Sequence, residues 1–304
     1  MSIDRDDTYR DALEHYTSRC STLNRYARNL TVQAAQGRLP RCYARDAEIE
    51  SICISLRRHT RPNVMLTGAA GCGKTAIIEG LAQKFENELY QKWKKSKGVD
   101  YLSNLISETL PIVYELSAGN ILGGAKYRGD FEERLQSIID ELKDRDRTVI
   151  LFIDEAHLLT TLGEAEGAVS AANLLKPALA RGDISIIAAT TEDEYKKYLS
   201  KDKAFTRRFS RLEVKPIAGK ARLDCALNIL KEYADIFGIA VDKTINSELV
   251  QSVLDGPMDN CIFPCGFVDV VDQMFAEATY RSLELVTKAE LQSAIFASTK
   301  CLVV

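Results

Sequence analysis

The sequence has no apolar run approaching the ~20 residues that a membrane-spanning helix needs. Its opening, MSIDRDDTYRDALEHY, is charged where a signal peptide requires an apolar core. The expectation is a soluble, cytoplasmic protein. Neither sign of charge is in excess: 40 lysines and arginines face 43 acidic residues, a formal net charge of -3. No global positive field draws the chain to DNA or RNA, and nucleic acid is not an expected partner. A disulfide framework is also missing. The eight cysteines are scattered, Cys53 inside the apolar SICISL and Cys72 inside a glycine-rich loop, which reads as reduced thiols. Cys261 and Cys265 lie close in sequence but have no histidine nearby, short of the four ligands of a structural zinc. Neither an internal repeat nor a low-complexity tract is present.

What remains is ordinary globular composition, 304 residues of which 46% are apolar, enough for one large or two modest domains. Ser2 to Ala35 reads as a polar helical stretch with apolar positions at Leu13, Tyr16, Cys20, Leu23 and Leu30, an N-terminal arm over residues 1–35. Beyond it, apolar runs alternate with amphipathic helical patterns: NVMLTG, PIVYELS, DFEERLQSIIDELKD, TVILFIDE, AANLLKPALARG, ISIIAATT, LEVKPI. That alternation predicts an α/β domain over 36–218, a parallel sheet with helices on both faces. After Gly219 the strand signals stop. ALNILKEYADIF, SELVQSVL and FVDVVDQMFAEA predict a small helical domain over 219–304.

One stretch carries explicit chemistry. In GAAGCGKTA, Gly68, Gly73, Lys74 and Thr75 satisfy the phosphate-loop pattern, with Ala69, Ala70, Gly71 and Cys72 between and Ala76 following, after a strand and before a helix. The glycines let backbone N–H groups close on phosphates, Lys74 reaches the β and γ oxygens, and the Thr75 hydroxyl can ligate magnesium. The strand VILFIDE then delivers Asp154 and Glu155 to the crevice side of the sheet. Asp154 is expected to hold Mg2+, and Glu155 to orient or deprotonate the attacking water. ATP and magnesium are therefore the expected cofactors. His157, just beyond, reads as structural.

These residues also carry a family likeness. From LNRYARNL to FVDVVDQMFAEA, through RDAEIE, GCGKTAIIEGLAQ, GAKYRGDFEERL, ILFIDEAH, AANLLKPALARGD and ATTEDEYKKYLSKDKAFTRRF, the chain resembles the first ATPase module of the Clp-type AAA+ unfoldases and disaggregases. The resemblance implies an AAA+ fold with a helical lid, a homo-oligomeric, six-membered ring that hydrolyses ATP at its subunit interfaces, and a polypeptide substrate pulled through a central pore. It makes Thr191 a sensor near the γ-phosphate, although a threonine at a strand end also caps, as its neighbour Thr190 would. It makes Arg207 and Arg208 arginine fingers acting on the neighbouring subunit, and puts Cys42 and Tyr43 at the adenine. It makes Tyr127, flanked by Lys126 and Arg128 in a glycine-bounded loop, the pore residue that grips substrate.

The chain departs from that pattern in places. Cys42-Tyr43-Ala44 replaces small aliphatics and a glycine, and Gly266 stands where the family has a basic residue. The segment Asn87 to Pro111 is longer than the family's link. It holds Lys92, Trp93, Lys94, Lys95 and Lys97, either a solvated helix with one aromatic packed down or a partner-binding strip. Two other readings stay open: an ATP-gated scaffold that recruits and releases a partner protein, and a DNA-handling loader.

Overall fold

A computed structural model describes residues 6–59, 61–95, 102–106, 110–122, 128–145, 147–161, 170–259 and 261–301. By their contacts these form two compact units: Met1–Gly68 with Lys74–Glu213, and Ala69–Gly73 with Val214–Val304.

The first unit is built on strands β1 (Ala27–Asn29), β2 (Asn63–Thr67), β3 (Ile112–Leu116), β4 (Val149–Ile153), β5 (Ser185–Thr190) and β6 (Phe209–Glu213). They lie in the order β1-β3-β4-β5-β2-β6, parallel except for β1, which runs antiparallel to β3. Every residue of β2, β4 and β5 is buried, which is why these strands read as unbroken apolar runs rather than as alternation. Asn63, buried at the start of β2, accepts the amide of Ile186 through its Oδ1 at 2.8 Å and so fixes the pairing with β5. The expected α/β architecture is the observed one.

The helices of this unit are α1 (Asp7–Ser18), α2 (Ser21–Tyr26), α3 (Leu30–Ala35), α4 (Asp46–Leu56), α5 (Lys74–Lys95), α6 (Leu102–Leu105), α7 (Ala118–Leu122), α8 (Arg128–Asp144), α9 (Leu158–Thr161), α10 (Ala171–Arg181), α11 (Glu192–Glu194) and α12 (Lys203–Thr206), with a π turn at Tyr195–Leu199. Along α5, Ile77, Ile78, Leu81, Ala82, Phe85 and Leu89 make one buried face at helical spacing. Glycine at position 80 is required by closeness: a Cβ there would lie 2.6 Å from the Cys42 Cβ.

Residues 6–35 are not wholly helical, as the pattern suggested, because the three residues of β1 add an edge strand to the sheet. Arg28 secures it, its Nε donating to Glu115 at 2.7 Å and its Nη2 to Glu79 at 3.1 Å. Burial pushes the Glu79 carboxyl up, against the pull of Arg28. Tyr9 and Leu13 of α1 are fully buried, and Tyr9 packs on Tyr90 and Trp93, at ring separations of 4.9 and 5.4 Å. Trp93, at the lysine-rich end of α5, is thus packed down while Lys92, Lys94 and Lys95 face water.

The second unit contains α13 (Gly219–Phe237), α14 (Ser247–Asp255), α15 (Cys265–Tyr280) and α16 (Lys288–Cys301), plus a parallel pair of two-residue strands, β7 (Ala240–Val241) and β8 (Leu285–Val286), which the sequence pattern did not reveal. Its core includes Phe267, Val270, Val271, Met274 and Phe275, with Phe275 against the rings of Tyr233 and Phe237. Among the described residues, seven cysteines are free thiols.

Candidate functional site

The parallel strands β4, β5 and β2 are adjacent, so the segments leaving their carboxyl ends meet along one edge of the sheet. Gly68 follows β2, Asp154 and Glu155 follow β4, and Thr191 follows β5. Such an edge is where ligands bind in open parallel sheets.

The loop after Gly68 turns through left-handed backbone at Gly71 (φ 74) and Gly73 (φ 94), conformations that favour glycine. Within the second unit a Cβ on Gly71 would also fall 2.9 Å from the Cys265 Cβ. The loop's Ala69, Ala70, Gly71 and Gly73 present only small groups, and Cys72 is fully buried. Lys74, Thr75 and Ala76 open α5, where backbone N–H groups lack helical partners and favour an anion. Lys74 donates its Nζ to the Gly68 carbonyl at 2.9 Å.

Across the crevice, Thr75 Oγ1 donates to Asp154 Oδ2 at 2.8 Å, while Asp154 Oδ1 accepts the amide of Glu155 at 2.9 Å. The structure therefore brings together the hydroxyl and the carboxylate that the sequence proposed as metal ligands. Both donors are hard oxygens and few in number, which suits magnesium, an ion that keeps several waters and takes phosphate oxygens for the rest. Among the described residues no cluster of three or more His, Cys, Asp or Glu side chains can hold a metal ion, so a soft or all-protein metal site has no candidate there. Glu155 is exposed and carries left-handed backbone at φ 50, a strained conformation for a non-glycine residue.

Thr191 is the N-cap of α11. Its Oγ1 accepts the Glu194 amide at 3.2 Å, and the Glu194 carboxylate accepts the Thr191 amide at 3.0 Å. Of the two threonines, Thr191 does the capping and keeps its own hydroxyl hydrogen to donate. Thr190 is buried and donates to Glu194 Oε2 at 3.1 Å. Partial burial raises the Glu194 carboxyl, but the Thr191 backbone and side chain, the His157 charge and the Thr190 hydroxyl outweigh it and hold the group below the usual carboxylate range. Glu194 is a residue whose signal was present but unused: Thr191 to Glu194 is a T-x-x-E capping signature.

Arg207 and Arg208 stand elsewhere. They precede β6, which runs parallel to β2 with Phe209 opposite Asn63 and Glu213 opposite Thr67. They sit at the amino edge of the sheet, and the run from Asn63 to Gly68 alone spans ~16 Å at about 3.3 Å per residue. Among the described residues neither guanidinium has an ion-pair partner. Cys42 and Tyr43 are half-buried, and Cys42 turns its side chain toward Gly80 of α5, with Sγ 3.1 Å from where a Gly80 Cβ would stand. Lys126 and Tyr127 lie outside the described residues, as does the side chain of Arg128, the first residue of α8.

Residues 64–216 match the AAA family, described as the ATPase family associated with various cellular activities. The chaperone protein ClpB of Bdellovibrio bacteriovorus is 39% identical over 253 residues, which is 83% of this chain and 28% of that protein. The ClpB of Bacteroides thetaiotaomicron is 46% identical over 193 residues, 64% of this chain and 21% of the relative. Among solved structures, a closed state of Hsp104 with ATPγS and FITC-casein superposes with a TM-score of 0.75 at 30% identity, covering 92% of this chain and 45% of the other. An ADP complex of Saccharomyces cerevisiae Hsp104 superposes with a TM-score of 0.72 at 31% identity, with the same coverage. The chain thus spans less than a third of the ClpB proteins it matches.

Proposed function

Because this chain belongs to the AAA family of ATPases, matched over about half its length, we propose that it is the magnesium-dependent motor of a ring that remodels or threads a protein substrate. The observation that carries the reading is the contact at 2.8 Å between Thr75 and Asp154, next to Glu155 in the chain. Lys74 and the backbone N–H groups at the start of α5 bind the β and γ phosphates and hold their oxygens in one orientation. Thr75 and Asp154 would hold Mg2+, which when bound draws charge off the phosphate oxygens. Glu155 takes the proton of the attacking water, and Thr191 donates its hydroxyl hydrogen toward the γ-phosphate or that water. Arg207 and Arg208, too far along the sheet to reach their own nucleotide, serve the site of the next subunit, where their charge stabilises the transferring phosphoryl group.

The similarity to proteins named chaperone protein ClpB, and to an Hsp104 structure solved with casein, supports a polypeptide rather than a nucleic acid as the substrate. On this reading Lys126, Tyr127 and Arg128 form the substrate-contacting loop. The near-balanced charge of the whole chain agrees with that choice.

The test is Glu155→Gln. ATP binding should stay within about threefold of the parent while turnover falls by on the order of a hundredfold, the loss of a general base with phosphate contacts kept. Fluorescent-nucleotide titration and steady-state phosphate release measure the two. Equal turnover in variant and parent would remove Glu155 from the reaction.

A further inference from the structure

One carboxylate oxygen beside the reacting groups collects more donors than a helix cap requires. Glu194 Oε2 accepts the Thr191 amide at 3.0 Å and the Thr190 hydroxyl at 3.1 Å, and His157 Nδ1 lies 3.3 Å from it. The capping box by itself needs only the exchange between Thr191 and Glu194. Thr190 and His157 come from the two strands that flank the crevice, Thr190 as the last residue of β5 and His157 three residues beyond Asp154 of the β4 segment. The His157 ring is fixed in turn, packed on Tyr198 with centroids 5.7 Å apart and planes 28° from parallel. A backbone bond, the Ala156 amide to the Ala189 carbonyl at 2.8 Å, ties the same two segments one residue before each of these side chains.

We propose that Glu194, steadied by His157, is the positioning residue that sets the distance between the water-activating Glu155 and the sensing hydroxyl of Thr191. Its role is exerted through Thr191 and the turn after Glu155. With Nδ1 3.3 Å from the carboxylate and 3.5 Å from the Thr190 hydroxyl, His157 holds the turn after Asp154-Glu155 against the Glu194 side chain, and the same carboxylate oxygen pins the Thr191 backbone. The Thr191 hydroxyl oxygen is held by the Glu194 amide at 3.2 Å, which leaves its hydrogen to donate elsewhere. Loss of this clamp leaves the phosphate loop, Lys74, Thr75 and Asp154 in place, so nucleotide affinity is preserved while the alignment for reaction is not. This inference rests on the ATPase reading above and on the roles it gives to Glu155 and Thr191.

The experiment is steady-state ATP hydrolysis by the full chain, with nucleotide affinity and melting temperature measured on the same samples. Glu194→Ala should lower kcat by about tenfold or more with KM within about threefold of the parent. Glu194→Gln, which keeps an acceptor for both threonine donors, should recover most of the loss. In a Thr191→Ala background, Glu194→Ala should add no more than about a twofold further fall, since the two act as a unit. Turnover of Glu194→Ala within about twofold of the parent, or an undiminished loss on top of Thr191→Ala, would overturn the proposal. If Glu194→Ala does not fold, His157→Phe keeps both the capping box and the ring stack. It should lower kcat by about threefold with KM unchanged, and a kcat equal to the parent's would sink the clamp. A parent that does not hydrolyse ATP at all would refute the ATPase reading itself, and this proposal with it.

Discussion

Glu155 shows how a single residue can be read from its backbone as well as its side chain. Its φ of 50 lies where a Cβ crowds the following carbonyl. The conformation persists because the Asp154 carboxylate accepts the Glu155 amide and the Glu155 carbonyl accepts the Leu158 amide, each at 2.9 Å. Strain of this kind costs on the order of 1–3 kcal/mol and survives where the surroundings over-determine it. Glycine has no Cβ to crowd, so Glu155→Gly should be more stable than Glu155→Ala by about 1 kcal/mol, although both abolish turnover. At an ordinary position the order is the reverse, since glycine gains more freedom on unfolding. Urea titrations of the two variants decide it; alanine as the more stable one would mean that residue 155 is relaxed. The acid pair itself was legible in ILFIDE, because a fully buried strand ending in two carboxylates has few other uses. The strain at the second of them was not, because it is imposed by neighbours distant in sequence.

At the level of elements, the legible parts were those whose signal is local. β2, β4 and β5 are buried throughout and read as apolar runs, and α5 announces itself by its buried face. β1 was hidden because its three residues, Ala-Arg-Asn, have no strand pattern of their own and pair only because the edge of β3 is open to them. β7 and β8, two residues each, are equally dependent on one another. Strand order is not local either: that Arg207 and Arg208 stand at the amino edge of the sheet follows from the register of β6 on β2, not from AFTRRF. The packing of α5 on the segment before α4 gives a direct test of such tertiary control. Gly80→Ala in a helix interior ordinarily stabilises by about 1 kcal/mol. Here the added Cβ meets Cys42 Cβ at 2.6 Å and Sγ at 3.1 Å. The substitution should instead destabilise by about 1–3 kcal/mol, the range for an overfilled core. Cys42→Ala in the same chain should relieve only part of that loss, since its Cβ remains. A Gly80→Ala protein as stable as the parent would show that the two segments separate easily.

For the whole molecule, the two arginines and the missing reach to their own nucleotide make assembly part of the chemistry. An Arg207→Ala/Arg208→Ala protein should bind ATP and turn it over slowly, and so should Asp154→Ala. Mixed together they should regain activity, because one subunit can then offer an intact site and its neighbour intact fingers. Phosphate release from the mixture, compared with the sum of its parts, is the measurement; a strictly additive result would place the arginines outside the reaction. Whether turnover then moves a polypeptide falls to the loop around Tyr127, which lies outside the described residues. If Tyr127 transmits force, Tyr127→Ala should leave ring formation and basal ATPase within about twofold of the parent, since phosphate and metal binding are assigned to Lys74, Thr75 and Asp154 instead. Unfolding of a stable tagged protein should fall at least about tenfold, because alanine offers too little apolar area to hold an extended chain against load. A scaffold that only recruits and releases a partner gives the other pattern: unchanged partner binding in the variant, and no unfolded product even from the parent. Loss of the ring or of the fold in Tyr127→Ala would assign the tyrosine to packing and remove the threading reading with it.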